Sequence, residues 1–189
     1  MVPNLPPRTA FILAGGSSRR MGQDKSRLPW GGGTLLEHMV ERLGRVADTV
    51  RVAGRDPLPD RHPGRGPVEG IRTALGATAT EENLIVAVDL PFLEPGFLEY
   101  MMDRLDRSRH LLVACELDGR VPLCLALRKG LLPTVEACLE RGQRSLEGLV
   151  RSVDRETITE TELGRMGFAP DMFRNLNTYE EYEKARRSL

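Results

Sequence analysis

Aromatic side chains are scarce in this chain, with one Trp, three Tyr and five Phe in 189 residues. No stacking platform of the kind that holds a sugar stands out among them. Net charge is absent too, because 27 basic side chains cancel 27 acidic ones. No global field therefore directs the protein to nucleic acid or an anionic membrane, and any polyanion site must be local. Cysteine is sparse. Cys115, Cys124 and Cys138 are an odd number without CxxC spacing, each in an apolar context, which excludes a disulfide framework and points to reduced core thiols. His38, His62 and His110 show no metal-ligand spacing. The longest apolar runs, such as Leu84–Val88, are strand-sized and far below a membrane span. The opening residues contain Pro3, Pro6 and Pro7 and no apolar leader core, so residues 1–8 read as a disordered lead-in to a soluble, cytoplasmic protein.

What is present centres on Phe11–Lys25, FILAGGSSRRMGQDK. An apolar run enters a turn with two adjacent glycines, followed by two arginines and, past another glycine, a lysine. Glycines remove Cβ atoms where a strand stops, so backbone N–H groups can approach a ligand, and the basic residues supply charge for phosphates. The spacing is neither that of a Walker A loop nor that of a dinucleotide fingerprint.

The rest of the chain alternates strands and helices. Thr9–Leu13 reads as a buried parallel strand, and Trp30–Gly33 as a turn. Leu35–Leu43 carries apolar residues at helical spacing, with Thr34 and Glu37 forming a capping box. Thr49–Ala53 returns to a strand pattern. A Pro/Gly-rich loop follows, then a helix over Val68–Ala79 that opens behind Gly66-Pro67. Asn83–Val88 is the most strand-like run and ends on Asp89, a carboxylate projecting from the C-terminal end of a central strand, where open α/β sheets bind ligands. Pro95 starts a further helix, Gly96–Arg104. Leu111–Cys115 and Val121–Leu127 are strands joined by the hairpin signal Asp118-Gly119. Leu131–Leu139 and Ser145–Val150 read as short helices, Arg151–Phe168 is mixed, and Thr178 caps a terminal helix, Tyr179–Arg187. The fold class is α/β: a single doubly wound, mostly parallel, Rossmann-like sheet over residues 9–189, with one antiparallel excursion.

The opening stretch resembles the signature of nucleotidyltransferases that begin LAGG, a short polar run, RMG and a lysine. Three further motifs extend the likeness: Gly66-Pro67-Val68-Glu69-Gly70-Ile71, Asp89-Leu90-Pro91-Phe92 and Asn175-Leu176-Asn177-Thr178. Their order and content are similar to the molybdenum cofactor guanylyltransferases, with Pro122-Leu123 and Gly142-Gln143-Arg144-Ser145 resembling that family's hairpin strand and arginine-bearing turn.

The resemblance implies a nucleotidyltransferase fold, and transfer of GMP from GTP to the terminal phosphate of molybdopterin with release of pyrophosphate. Leu13, Ala14, Gly15 and Gly16 would offer backbone groups to the nucleotide. Arg20 and Lys25 would neutralise the triphosphate, and Asp89 would hold Mg²⁺, a hard cation that completes its shell with phosphate oxygens and water. Asp60 would approach the base or sugar, or else cap its own turn. Asn175, Asn177 and Arg144 would face the acceptor. Residues 9–92 would form the nucleotide-binding half and 93–189 the acceptor half, with proteins that hand over the oxygen-sensitive acceptor as possible partners. No general base is needed, since the attacking group is already a phosphate anion.

Two departures bear on specificity. The interval from Ala53 to Gly66 is short, and Gly54 or Arg55 stands where the family has an Asn-type residue that helps to read guanine. Val121 also replaces a polar residue ahead of Pro122-Leu123. A CTP-using cytidylyltransferase, a sugar- or polyol-phosphate nucleotidyltransferase and a nucleotide-binding regulator are the rival readings. Lys25 and Asp89, whose loss would mark a regulator, are both present.

Overall fold

Strand β1 (Arg8–Leu13) is buried along its whole length, as expected of a strand covered on both faces of a parallel sheet. The computed structural model describes residues 6–15 and 24–188, so Gly16 and Arg20 of the opening loop lie outside the described residues. After a single 3-10 turn at Lys25–Arg27, β2 (Pro29–Trp30) and β3 (Gly33–Thr34) form a minimal antiparallel hairpin. Helix α1 (Leu35–Leu43) starts from the Thr34–Glu37 capping box, with Glu37 N–H donating to Thr34 Oγ1 at 3.2 Å and Thr34 N–H donating to Glu37 Oε2 at 2.7 Å.

The chain continues through β4 (Thr49–Ala53), α2 (Pro67–Ala77), β5 (Glu82–Ala87) and α3 (Pro95–Arg107). Then come β6 (Leu112–Glu116), β7 (Cys124–Arg128), α4 (Leu132–Glu140), α5 (Leu146–Arg151), β8 (Glu156–Thr159), α6 (Glu160–Met166) and α7 (Tyr179–Arg186). Six strands form the main sheet in the order β4-β1-β5-β7-β6-β8. All neighbours run parallel except across β7, which is antiparallel to both β5 and β6. The expected excursion is thus one reversed strand. Asp118 (φ 48°) and Gly119 (φ 72°) turn the β6–β7 connection with both central residues at positive φ, the form that matches the twist of a hairpin.

Alternation along the strands divides the core into two layers. Ala10, Ile12, Leu84 and Val86 face α1, α3 and α6, whereas Phe11, Leu13 and Ile85 face α2, α4 and α5. A one-residue register slip would exchange these faces, so the double cover fixes the register. Each fully buried Leu, Ile, Val or Phe contributes roughly 1.5–3 kcal/mol. A third apolar cluster, with Leu28, Trp30, Leu35, Leu176 and Tyr182, fastens α7 to the small hairpin; Tyr182 Oη donates to Pro29 O at 2.5 Å.

The helix read over Val68–Ala79 is Pro67–Ala77, that read over Gly96–Arg104 is Pro95–Arg107, and three further boundaries differ for plain physical reasons. Arg8, assigned to the lead-in, is the first residue of β1, and its side chain pairs with Asp106 at 2.6 Å. β7 begins at Cys124 and not at Val121, because Pro122 brings no N–H to the ladder and its carbonyl accepts from Cys124 N–H at 2.7 Å in a tight turn. The mixed stretch after Arg151 resolves into β8 and α6, with Thr159 Oγ1 accepting from Glu162 N–H at 3.3 Å as the helix cap.

Candidate functional site

Strands β1, β4 and β5 end side by side. Beyond the ladder, Ala14 N–H donates to Ala53 O (3.0 Å) and Val88 N–H to Leu13 O (3.2 Å), so the three exits are held level. α1 carries the chain from β1 to β4 on one face, and α2 carries it back across β1 to β5 on the other. That reversal opens a crevice at the C-terminal ends of the strands. It holds a cavity of about 330 Å³ lined by Leu13, Ala14 and Gly15 after β1, Ala53 and Gly54 after β4, and Ala87, Val88 and Asp89 after β5. Asp24, Lys25, Ser26, Asp60, Gly66 and Pro67 close its sides.

The floor is set by a contact between two backbones. A Cβ on Gly54 would stand 2.4 Å from Gly15 Cα and 2.5 Å from Gly15 N, and Gly54 has φ +90°. No side chain fits there without moving the loop after β1. Packing therefore holds position 54 to glycine, and Arg55 beside it takes a different direction.

Arg55 turns back toward the opening loop. Its Nη2 donates to Ala14 O (2.8 Å) and to Asp24 Oδ1 (3.1 Å), while Nη1 donates to Asp24 Oδ2 (3.1 Å) and Ser26 Oγ (2.7 Å). Burial works to raise the Asp24 carboxyl, but the hydrogen bonds from Arg55 and Ser26 and the charge of Arg55 outweigh it and hold the group below its ordinary value. Asp24 also caps the 3-10 turn, accepting from Ser26 N–H at 3.1 Å, and so aims the next residue, Lys25, across the cavity. Lys25 Nζ meets Asp89 Oδ2 at 3.0 Å.

Asp60 enters from the loop ahead of α2. Thr73 Oγ1 donates to its Oδ1 at 2.8 Å, and its Oδ2 lies 3.0 Å from where a Gly15 Cβ would be, so the carboxylate rests against the backbone of the opening loop. Gly66, at φ +79°, precedes α2 and packs on Arg144, whose carbonyl oxygen would be 2.8 Å from a Cβ at that position. α2 then begins at Pro67 with no side-chain cap, which leaves first-turn donors beside the cavity.

The structure thus brings Leu13, Ala14, Gly15, Lys25, Asp60 and Asp89 to one cavity. Arg144, Asn175 and Asn177 do not line it. Arg144 stands behind Gly66, and the Asn175–Asn177 segment is tied to the site through Leu176 N–H, which donates to Asp89 O at 3.1 Å. Beside this segment, the Arg174 guanidinium lies 4.4 Å from the centre of the Phe92 ring, three residues beyond Asp89.

Sequence reasoning missed Asp24 as a lining residue and Arg55 as a bridging one. The signal for Asp24 was its place just before a short turn. Arg55 had none, because its partners are distant in sequence.

Glu69, the third residue of α2, is fully buried. Its Oε1 accepts from His62 N–H (2.9 Å) and Arg72 Nη2 (2.8 Å). Burial raises this carboxyl, and Arg72 with the His62 amide outweighs it and holds it below the ordinary value. Glu69 also borders a second cavity of about 260 Å³ with Arg61, His62, Arg65 and Arg72. The loop that carries Asp60 therefore forms a wall of both cavities.

The comparisons with known proteins agree with this geometry. Residues 10–157 match the model of the MobA-like NTP transferase domain. A molybdenum cofactor guanylyltransferase of Xanthomonas euvesicatoria is 35% identical over 94% of this chain and 94% of its own. A probable molybdenum cofactor guanylyltransferase of Carboxydothermus hydrogenoformans is 33% identical over 93% of each chain. Among solved structures, molybdopterin-guanine dinucleotide biosynthesis protein A from Archaeoglobus fulgidus superposes with a TM-score of 0.81 at 21% identity, over 95% of this chain and 97% of its own, which shows a shared fold. Reversed strand, strand-end cavity and family match coincide: the chain belongs to the family of MobA-like NTP transferase domains.

Proposed function

We propose that this nucleotidyltransferase moves GMP from GTP to the terminal phosphate of molybdopterin, releasing pyrophosphate. The observation that carries the reading is the convergence of Lys25 and Asp89 with the Leu13–Gly15 backbone in one strand-end cavity. The names of the relatives supply the base and the acceptor.

An oxygen of the acceptor phosphate attacks the α-phosphorus of the nucleotide, and the bond from that phosphorus to the oxygen bridging to the β-phosphate breaks. Both reactants are polyanions, so the protein must bring like charges together and hold them in line. Lys25 can turn from Asp89 to an α-phosphate oxygen, where negative charge builds in the transition state. Leu13, Ala14 and Gly15 present backbone groups to the nucleotide, and Asp60, held by Thr73, faces its base or sugar. Gly16 and Arg20 keep the roles that the family likeness gives them.

The donor set suits Mg²⁺ with a nucleotide. Asp89 projects its carboxylate from the strand end, whereas Asp24 is engaged by Arg55 and Asp60 by Thr73, and no group of three or more His, Cys, Asp or Glu side chains converges among the described residues. One protein carboxylate, phosphate oxygens and water make the shell that Mg²⁺ takes in such sites. When bound, the ion would screen the triphosphate and stabilise departing pyrophosphate. Asn175, Asn177 and Arg144, within residues 93–189, serve the acceptor, and residues 9–92 hold the nucleotide. Three buried free thiols support a reducing, cytoplasmic setting.

Calorimetric titration with GTP, CTP, ATP and UTP, with Mg²⁺ and with a chelator, followed by turnover with molybdopterin, tests the reading. Selective GTP binding and pyrophosphate release on adding acceptor are expected. A preference for CTP would move the chain to cytidylyl transfer, and no nucleotide binding would overturn the proposal.

A further inference from the structure

We propose that Arg55 is a positioning residue that clips together the two flanks of the glycine-rich loop and masks the Asp24 carboxylate from the phosphates of a bound nucleotide. The inference rests on the reading of the cavity as a nucleoside triphosphate site.

Ala14 precedes that loop and Asp24 follows it. One guanidinium, carried on the exit of β4, touches both flanks, through Ala14 O at 2.8 Å, Asp24 Oδ1 and Oδ2 at 3.1 Å each and Ser26 Oγ at 2.7 Å. A planar fork makes this set of contacts and an ammonium does not, because donors must point at a carboxylate and a carbonyl in one plane. Both flanks line the cavity. The clip therefore fixes the separation of the residues that would cradle the nucleotide.

Charge gives the second part of the argument. Of the three carboxylates that line the cavity, Asp89 pairs with Lys25 at 3.0 Å, and Asp24 pairs with Arg55 at 3.1 Å and more loosely with the largely exposed Arg27 at 3.6 Å. Lys25 must leave Asp89 to serve the nucleotide, and a metal ion can take that carboxylate. Without Arg55, Asp24 would keep only Arg27, whose side chain is 84% exposed and its charge screened by solvent, so most of the carboxylate's charge would stand against the incoming triphosphate. The Arg55 side chain is 28% exposed and that of Asp24 38%, so solvent screens the pair's share of fold stability. Its loss should register in ligand binding first.

Titration of GTP into wild type, R55A, R55K and the double variant R55A/D24N, each with a melting curve, decides the matter. R55A is expected to bind GTP about 10-fold or more weakly, with little change in Tm, from loss of a bidentate charged contact. Removing the orphaned carboxylate should recover part of the loss, so R55A/D24N binds more tightly than R55A. R55K keeps the charge without the fork and should bind less tightly than wild type, which also tests the clip should R55A fail to fold. The inference is overturned if R55A or R55K binds GTP as wild type does, or if the double variant is no better than R55A. Failure of wild type to bind GTP would overturn the underlying site reading instead, and is seen before any variant is compared.

Discussion

Lys25 Nζ and Asp89 Oδ2 lie 3.0 Å apart, joining the end of the opening loop to the end of β5 across the cavity. The side chains are 17% and 21% exposed, open enough to exchange partners and enclosed enough for charge to act strongly. Replacing Lys25 by Ala should therefore lower kcat by roughly 10²–10³-fold, the scale seen when a transition-state donor is removed. Fold should persist, because Asp89 regains solvent. Steady-state pyrophosphate release and far-UV circular dichroism check this; unchanged kcat would remove Lys25 from the reaction.

Asp89 makes the complementary case. Its backbone carbonyl holds Leu176 N–H, a contact that substitution of the side chain leaves in place. Asp89→Ala and Asp89→Asn should abolish Mg²⁺-dependent turnover while the Asn175–Thr178 segment stays seated and Tm shifts by only a few degrees. Retention of Mg²⁺-dependent activity in either variant would take Asp89 out of the site.

Gly54 tests the packing of the floor. Substitution by Asn would set a Cβ at 2.4 Å from Gly15 Cα and force a non-glycine residue to φ +90°. Strain of this kind costs about 1–3 kcal/mol, and the clash adds to it. Gly54→Asn should lower Tm and weaken nucleotide binding together. Tighter GTP binding by this variant would show that the loop yields and that a base-reading side chain is simply missing.

Much of this was legible in the sequence because it is local. The Thr34–Glu37 capping box, the Asp118-Gly119 turn and the emergence of Asp89 from an apolar strand each depend on residues a few positions apart. β8 was not legible: it is an edge strand of four residues in which only Ile158 is buried, so it carries no apolar run to read. Arg55 was hidden for another reason. Its ties to Ala14 and Asp24 span 41 and 31 residues and exist only once β1 and β4 are paired.

Glu69 interrupts an otherwise apolar helix start, yet it is fully buried, because it anchors the loop that carries Asp60. Truncation to Ala would leave the His62 amide and the Arg72 guanidinium without their carboxylate. Hydrogen bonds to a charged group contribute roughly 1.5–3 kcal/mol, so Glu69→Ala should lower Tm by several degrees. Because Thr73 still holds Asp60, nucleotide binding should weaken less than in a variant lacking Asp60 itself. Equal losses in the two variants, by the same titration, would contradict this division.

At the opposite end of β5 a buried ionic group sets a pH dependence. Glu82 lies between Arg128 (3.1 Å) and Arg8 (3.6 Å), and Arg8 also pairs with Asp106 at 2.6 Å. Burial first, and then Asp106, push the Glu82 carboxyl up to about 7, while Arg8 and Arg128 oppose the rise. The folded protein then keeps a proton that the unfolded chain has released, so this group's stabilisation is fully present below the ordinary glutamate pKa and is lost as pH rises through about 7. Asp106 is shifted downward, despite burial, by Glu82 and Arg8, so its contribution fades only in acid, outside that window. Wild type should lose on the order of 2 kcal/mol from this group between mildly acid and mildly basic pH, and Glu82→Gln, which cannot titrate, should flatten that part of the profile. Melting both proteins across the interval decides it. Parallel Tm profiles would mean that Arg8 and Arg128 keep Glu82 ionised throughout, and that the pH response arises elsewhere.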